Sequence, residues 1–297
     1  MDFKVRPMRP GDEEAVRKMV ENLWEGHDYL PMLFHKWVND ERGLFIAVEV
    51  EDHLAGCAKL TWLTDKDAWL EGLRSDMELK TRGIGRATLD YLMPRLAAQN
   101  PETVRFATYW GNIGSIKNSE RYGFIREKEL NVKSVEILPD KKWKAHEQYR
   151  RVEDEGEKMR LLGRTSFFDR CGGYIVDGWR VYPVKEEVFP LFADTGRAFR
   201  CLGSREGDFL SFAPDYRPGE VKLTLFQCSG VETGRALLSS FLNEMQESGV
   251  GYVESVIPDE PLIRHVFASE GLVSWEREHD YWIYTFPQGL LKERYGR

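Results

Sequence analysis

The chain has no cysteine pairs. Cys57, Cys171, Cys201 and Cys228 are its only cysteines and none forms C-x-x-C, which excludes a zinc framework or a disulfide scaffold and suits a reducing compartment. The six histidines are scattered, and His146-Glu147 is followed by Gln-Tyr-Arg and so falls short of H-E-x-x-H. No metal is expected. No apolar run approaches the length of a membrane span, and the opening MDFKVRPMRPGDEE lacks the apolar stretch of a secretory signal. The expectation is a cytoplasmic protein with no membrane partner. There is no basic surplus either. The net charge is −7, which argues against a nucleic-acid partner, because phosphate binding needs a basic stripe.

What is present is enough chain for two domains, 297 residues of which 42% are apolar, so two cores can be buried. Phe3 to Arg6 alternates as a short strand. Asp12-Glu13-Glu14 opens a helix in which Ala15, Val16, Met19, Val20 and Leu23 recur at helical spacing. A second helix is expected over Tyr29 to Val38. Strands at Leu44–Val50, His53–Leu63 and Ala68–Arg74 are separated by turn residues and read as an antiparallel meander. Then come a helix from Arg86 to Ala98, a strand from Val104 to Tyr109, a helix from Ser115 to Tyr122 stopped by Gly123, and extended chain from Phe124. The expected class is α/β, a mixed sheet flanked by helices.

Part of this order recurs. Gly85-Arg86-Ala87-Thr88-Leu89 and Gly234-Arg235-Ala236-Leu237-Leu238 each open a long helix, followed by strand, helix and strand. The second helix ends at Gly123 in one copy and at Gly271 in the other, with final strands expected near Phe124 and Leu272. Four matching elements make chance similarity of two amphipathic helices a poor account. The expected division is a domain over 1–138, a connecting segment over 139–170 and a second domain over 171–297. The charge-dense stretch from Ser134 to Gly163 is expected to connect the two and to be partly helical.

The segment that carries chemistry runs from Leu70 to Ala87. A strand enters a glycine-containing loop, Lys80-Thr81-Arg82-Gly83-Ile84-Gly85, that enters a helix. Backbone N–H groups and the positive end of the helix dipole then face one spot, where glycines admit a bulky anion. Lys80, Arg82 and Arg86 add positive charge, so the loop reads as a pyrophosphate cradle. It is not a P-loop, which needs G-x-x-x-x-G-K-[ST], nor a dinucleotide fingerprint, since Thr88 stands where a third glycine is required.

Lys80, Gly83 and Gly85 resemble the [Q/R]-x-x-G-x-[G/A] signature of the GNAT acetyltransferase superfamily, with lysine in the first place. Asn112, Ser115, Gly123 and Phe124 fall where that family has N-x-x-[A/S] and then G-F. The runs Asp28-Tyr29-Leu30-Pro31, Phe34-His35-Lys36-Trp37 and Leu70-Glu71-Gly72-Leu73-Arg74 are similar to the histidine N-acetyltransferase-like branch, whose members carry a second GNAT-like domain and act on a free amino acid. The resemblance implies tandem GNAT folds with splayed sheets and a degenerate C-terminal copy. It implies acetyl-CoA as co-substrate and a small-molecule amine as acceptor. Leu73, Arg74 and Ser75 would hold the pantetheine arm, and Thr81, Arg82, Gly83, Ile84, Gly85 and Arg86 the pyrophosphate. Asn112 and Ser115 would lie beside them.

Glu71 is the first candidate for the base that deprotonates the amine. Alternation along the strand places it on one face with Leu73 and Ser75. A structural carboxylate paired with a Lys or Arg is the equal alternative. Ser119 occupies the place where many family members carry a tyrosine acid, so that Tyr109 or Tyr122 substitutes, or water does, or the thiolate leaves unaided. Tyr29, His35, Trp62, Arg74, Tyr109 and Trp110 are candidates for the acceptor pocket, the aromatics weighed against plain core packing. The second copy lacks the cradle. Its loop, Cys228 to Gly234, is shorter, and Glu260 stands in the place of Asn112. The competing functions are an acyl-CoA-binding or sensing protein without catalysis, and a protein N-acetyltransferase.

Overall fold

The computed structural model describes residues 2–79, 81–194, 197–203 and 207–296. The chain forms two compact units that interleave along the sequence. The first takes Met1–Thr108, Asn112–Glu127 and Ile283–Arg297, and the second takes Tyr109–Gly111 and Lys128–Trp282.

The first unit begins with β1 (Lys4–Pro7), α1 (Glu13–Val20), α2 (Leu30–Val38), β2 (Leu44–Val50), β3 (His53–Trp62) and β4 (Asp67–Ser75). It continues with α3 (Ile84–Ala98), β5 (Thr103–Tyr109) and α4 (Ile113–Tyr122). Strands β1 to β4 pair antiparallel in chain order, and β4 pairs parallel with β5. Helices cover both faces of this sheet. On one, Val16, Leu30, Phe34 and Trp37 of α1 and α2 pack on Phe45, Ala47 and Cys57. On the other, Ile84 of α3 packs on Val48, Val50 and Ala55. The apolar residues along β2 and β3 serve both layers, which is why these strands are buried on both faces.

β6 (Ile125–Glu136) starts in the first unit and enters the second. There follow β7 (Tyr149–Val152), α5 (Glu155–Arg164), α6 (Phe167–Arg170), β8 (Tyr174–Asp177), β9 (Arg180–Pro183) and α7 (Val188–Asp194). Then come β10 (Ala198–Leu202), β11 (Phe209–Pro214), β12 (Glu220–Gln227), α8 (Val231–Glu247), β13 (Tyr252–Ile257) and α9 (Pro261–Ser269). The sheet of the second unit runs β6-β13-β12-β11-β10-β7, with only β12 and β13 parallel. The charged connecting stretch thus contains a strand, β7, paired to β10, as well as the expected helix.

The strand expected at Leu272 is not there. Val273 makes a single bridge to Ser134, and the last strand, β14, spans Tyr281–Thr285. Residues 274–280 intervene, rich in charge and poor in the β-branched residues that fill a pleated surface. From Ile283 the chain belongs to the first unit, where Phe286 N–H bonds the Val104 carbonyl of β5 at 2.8 Å and α10 (Gln288–Tyr295) packs on α3.

Candidate active site

β4 and β5 part company early. Their register pairs Asp67 with Thr103, Ala68 with Val104 and Trp69 with Arg105, while β4 runs on to Ser75 paired with β3 alone. A strand edge left open inside a sheet is a template for an extended ligand.

That stretch also carries a bulge. Cys57 pairs with Arg74 and Lys59 with Glu71, so Gly72 and Leu73 together face Ala58. Gly72 has φ +64°, and a Cβ on it would run into the Trp37 ring, so only glycine fits. The extra residue corrects the expected face of Glu71. Cys57 and Lys59 share a face, so their partners Arg74 and Glu71 share it too, and Leu73 and Ser75 do not follow Glu71. Simple alternation fails because the bulge inserts a half-period.

On that face the side chains are tied together. Asp28 accepts the Leu30 N–H at 2.9 Å at the start of α2 and receives Arg74 Nε at 2.5 Å. Its side chain is 1% exposed, against 15% for Arg74. The guanidinium stands over the Tyr29 ring at 5.2 Å, and Tyr29 meets Trp37 edge-on. Burial works against the Arg74 charge, but Tyr29 and Asp28 outweigh it and raise its pKa. Thr61 Oγ1 donates to Glu71 Oε1 at 2.5 Å. Burial pushes the Cys57 thiol up to about 12, so it is an inert neighbour. Of the acceptor candidates, Tyr29 and Arg74 join this group. His35 is exposed on α2 and pairs with Glu13 at 3.1 Å. Trp62 pairs with Ala68, three positions from Lys59, and lies on the opposite face.

The loop after β4 is closed by Asp76, whose Oδ1 accepts the N–H groups of Glu78 and Leu79. Lys80 lies outside the described residues. Thr81 bonds the Leu79 carbonyl, and Arg82 and Gly83 are exposed. Gly83, at φ +100°, caps α3, which begins at Ile84, two residues before the Arg86 start expected. Ile84 is buried in the sheet contact, and Arg86 is exposed beside Asp90. A Cβ on Gly85 would sit 2.7 Å from Asn118 Nδ2, a buried atom without a hydrogen-bond partner. Glycine therefore keeps the first turn of α3 bare. A 15-residue helix with such an end suits a phosphate group, and the residues fit the pyrophosphate of a CoA ester.

Asn112 begins α4, its Oδ1 accepting the Ser115 N–H at 3.4 Å. Ser119 is 5% exposed. Tyr122 bonds Tyr295, and burial together with that bond raises its pKa. Tyr109 and Trp110 belong to the second unit, where Trp110 N–H bonds the Asp280 carbonyl at 2.9 Å and Arg277 stands over the Trp110 ring. Burial, then Glu276, raises the Tyr109 pKa.

The second unit repeats the architecture without the cradle. β12 and β13 pair only from Glu220–Tyr252 to Leu223–Ser255, and Thr224 is bulged against β11. In the turn before α8, however, Asp208 accepts the Ser229 N–H at 2.7 Å and its hydroxyl at 2.9 Å. Glu260, which begins α9 as Asn112 begins α4, is paired with Arg170 at 3.0 Å. Asp28, Thr61, Asn118 and Asp208 were not singled out as site residues from the sequence. Only Asp28 left a signal there, as an acid just ahead of a helix.

Among the described residues no group of three or more His, Cys, Asp or Glu could hold a metal ion, and no helix is long and apolar enough to cross a membrane. No curated protein sequence matches the chain. Its fold is similar to a GCN5-related N-acetyltransferase from Sphaerobacter thermophilus (TM-score 0.71, 13% identity, 95% of each chain covered). It is also similar to a tandem GNAT protein from the clavulanic acid biosynthesis pathway (TM-score 0.67, 13% identity, 97% of this chain and 99% of that one). Residues 13–124 match the acetyltransferase (GNAT) family. That matched segment is the one that holds the splayed strands, the bulge and the bare helix end, and the chain is an acyl-CoA-dependent N-acetyltransferase with the fold of a tandem GNAT protein.

Proposed function

We propose that the enzyme moves an acetyl group from acetyl-CoA to the primary amine of a small molecule, a free amino acid such as histidine, and that only the first unit binds acetyl-CoA. The observation that carries this reading is the shared face of Glu71 and Arg74 beside the open edge of β4. An α-amine has a pKa of about 7.7–8.0 and must lose its proton to attack. Glu71, oriented by Thr61, accepts that proton directly or through water. Arg74 holds the carboxylate. Backbone groups of Leu73 to Ser75 orient the pantetheine arm along the open edge, and Thr81 to Arg86 hold the pyrophosphate at the start of α3. Asn112 and Ser115 border the same end. Acetyl-CoA supplies the activated thioester.

Ser119 is buried in α4 and is a poor acid, and burial makes the phenols of Tyr109 and Tyr122 weaker acids than a free tyrosine. A thiolate is a good enough leaving group to depart with water as its proton source. A screen of amino acids and polyamines with acetyl-CoA, reading free thiol, tests the proposal. Steady thiol release with at least one amino acid is expected. The absence of thiol release with every amino acid would overturn the acceptor assignment.

A further inference from the structure

A guanidinium carries five N–H donors in one plane, and three of those on Arg74 are engaged. Nε donates to Asp28 Oδ2 at 2.5 Å, Nη2 to Asp28 Oδ1 at 3.4 Å and Nη1 to the Leu73 carbonyl at 3.1 Å. The guanidinium also stands over the Tyr29 ring at 5.2 Å. The donor capacity that is left therefore lies at the Nη end, where a carboxylate can be received in a charge-assisted hydrogen bond. Arg74 is partly exposed while Asp28 is sealed behind it.

Asp28 is itself fixed. The Leu30 N–H holds its Oδ1 at 2.9 Å, and Trp37 of the same helix rests on Gly72 in the bulge. The two clamps, Trp37 on Gly72 and Asp28 on Arg74, bind β4 to α2 on both sides of Leu73. An arginine without such a partner samples many rotamers and loses them on binding. Here that loss is met by folding, and the end left over has a single direction.

We infer that Asp28 is a positioning residue that determines acceptor specificity: it turns Arg74 so that the Nη end receives the carboxylate of an α-amino acid. This rests on the amino-acid reading above. Because Asp28 also neutralises Arg74, discrimination comes from geometry more than from charge. An anion without an amine gains little, whereas a compound carrying amine and carboxylate on one carbon meets Glu71 and Arg74 on the same face.

The test compares Asp28→Asn with the wild type on two substrates. One is the amino acid that turns over fastest in the thiol-release screen, and the other is the amine lacking its carboxyl group (histamine, where the amino acid is L-histidine). The wild type is expected to favour the amino acid in kcat/KM. In Asp28→Asn the amide keeps an oxygen for Leu30 and turns a donor towards Arg74. The preference is expected to fall by about 10-fold or more, as befits a charge-assisted pair, mainly through KM for the amino acid and with KM for acetyl-CoA unchanged. Arg74→Lys, which keeps the charge and loses the planar geometry, is expected to do the same. Should Asp28→Asn not fold, Asp28→Ser keeps the oxygen for Leu30 without a donor group of the same reach. A merely structural Asp28 gives a lower Tm and an equal slowing on both substrates, and that result overturns the inference. A wild type with no preference overturns both this inference and the amino-acid reading, and a preference that survives Asp28→Asn overturns the role of Asp28 alone.

Discussion

Tyr122 and Tyr295 share a hydrogen bond of 2.6 Å between their phenol oxygens although 173 positions separate them. Around it, Arg294 Nη1 donates to the Tyr122 carbonyl at 2.5 Å, Tyr284 donates to Glu120 at 2.8 Å, and the Tyr284 ring stacks on Phe106 at 5.0 Å. The C-terminal segment is thereby part of the unit that holds the loop before α3, the proposed pyrophosphate site. Removing residues 283–297 is expected to abolish acetyl-CoA binding, because β5 loses a strand partner and α3 its packing on α10. Tyr295→Phe is milder and is expected to cost about 0.5–1.5 kcal/mol, the usual worth of one hydrogen bond. Thermal melts and calorimetry with CoA check both. A truncated chain that binds acetyl-CoA like the full one contradicts this assignment.

The glycines of the site answer to different measurements. Gly85→Glu puts bulk against Asn118 and negative charge at the start of α3, so acetyl-CoA binding is expected to vanish while the Tm changes little. Gly72→Val meets the Trp37 ring at a backbone conformation closed to valine, and it is expected to lower stability by about 2 kcal/mol or more. Calorimetry on the wild type is expected to give one acetyl-CoA site per chain, since in the turn before α8 Ser229 is engaged by the Asp208 carboxylate. Two sites would refute that.

Glu71→Gln separates chemistry from support. As a base, Glu71 is expected to be worth about 10²–10⁴-fold in turnover, with acetyl-CoA affinity nearly unchanged. The deficit is expected to shrink as pH rises, because more of the amine is then neutral without help. A structural Glu71 predicts a lower Tm and no rescue at high pH. Full activity of Glu71→Gln at neutral pH rules the base assignment out.

A carboxyl group outside the site sets a pH dependence. Burial, reinforced by Asp215 and Glu220, pushes the Glu254 carboxyl up to about 8 from an ordinary value of 4.5. For an acid with a raised folded pKa, stability is whole below the unfolded value and is lost as pH rises from there through the folded one. The window is thus about pH 4.5 to 8. Glu254→Gln is expected to raise the Tm at pH 8, by about 2–4 °C per kcal/mol recovered, and to leave it unchanged at pH 4. An equal shift at both pH values would exclude the titration of Glu254 as the cause.

The elements of the first unit could be read from the sequence because their signals are local. Leu44–Val50 forms a strand over those same residues, and Asn112, Gly83 and Gly123 bound helices at the places their residue types favour. The α3 loop was legible for the same reason: glycines, cations and a helix start lie within a few residues. The repeat in the second half likewise rests on helix-opening glycines and on the order of elements. It failed at Leu272, where position in the repeat promised a strand and residues 274–280 lack the side chains to build one.

Relations between distant segments were decided only in the tertiary structure. Strand alternation has a period of two, so a single bulge at Gly72 reverses every face assignment beyond it, and only the register of β4 against β3 reveals that Glu71 and Arg74 lie together. Asp28 and Arg74 stand 46 positions apart, and no local pattern says that one will hold the other. The same is true of Asp208 and Ser229 and of Tyr122 and Tyr295. The sequence by itself determined most of the elements and the glycine-containing loop that leads into α3, because helix ends, glycines and apolar periodicity act over a few residues. Tertiary structure decided which face each site residue presents, which carboxylate neutralises which cation, and that the chain from Ile283 returns to the first unit, because hydrogen bonds and ion pairs form between whatever side chains the packed sheet brings within reach.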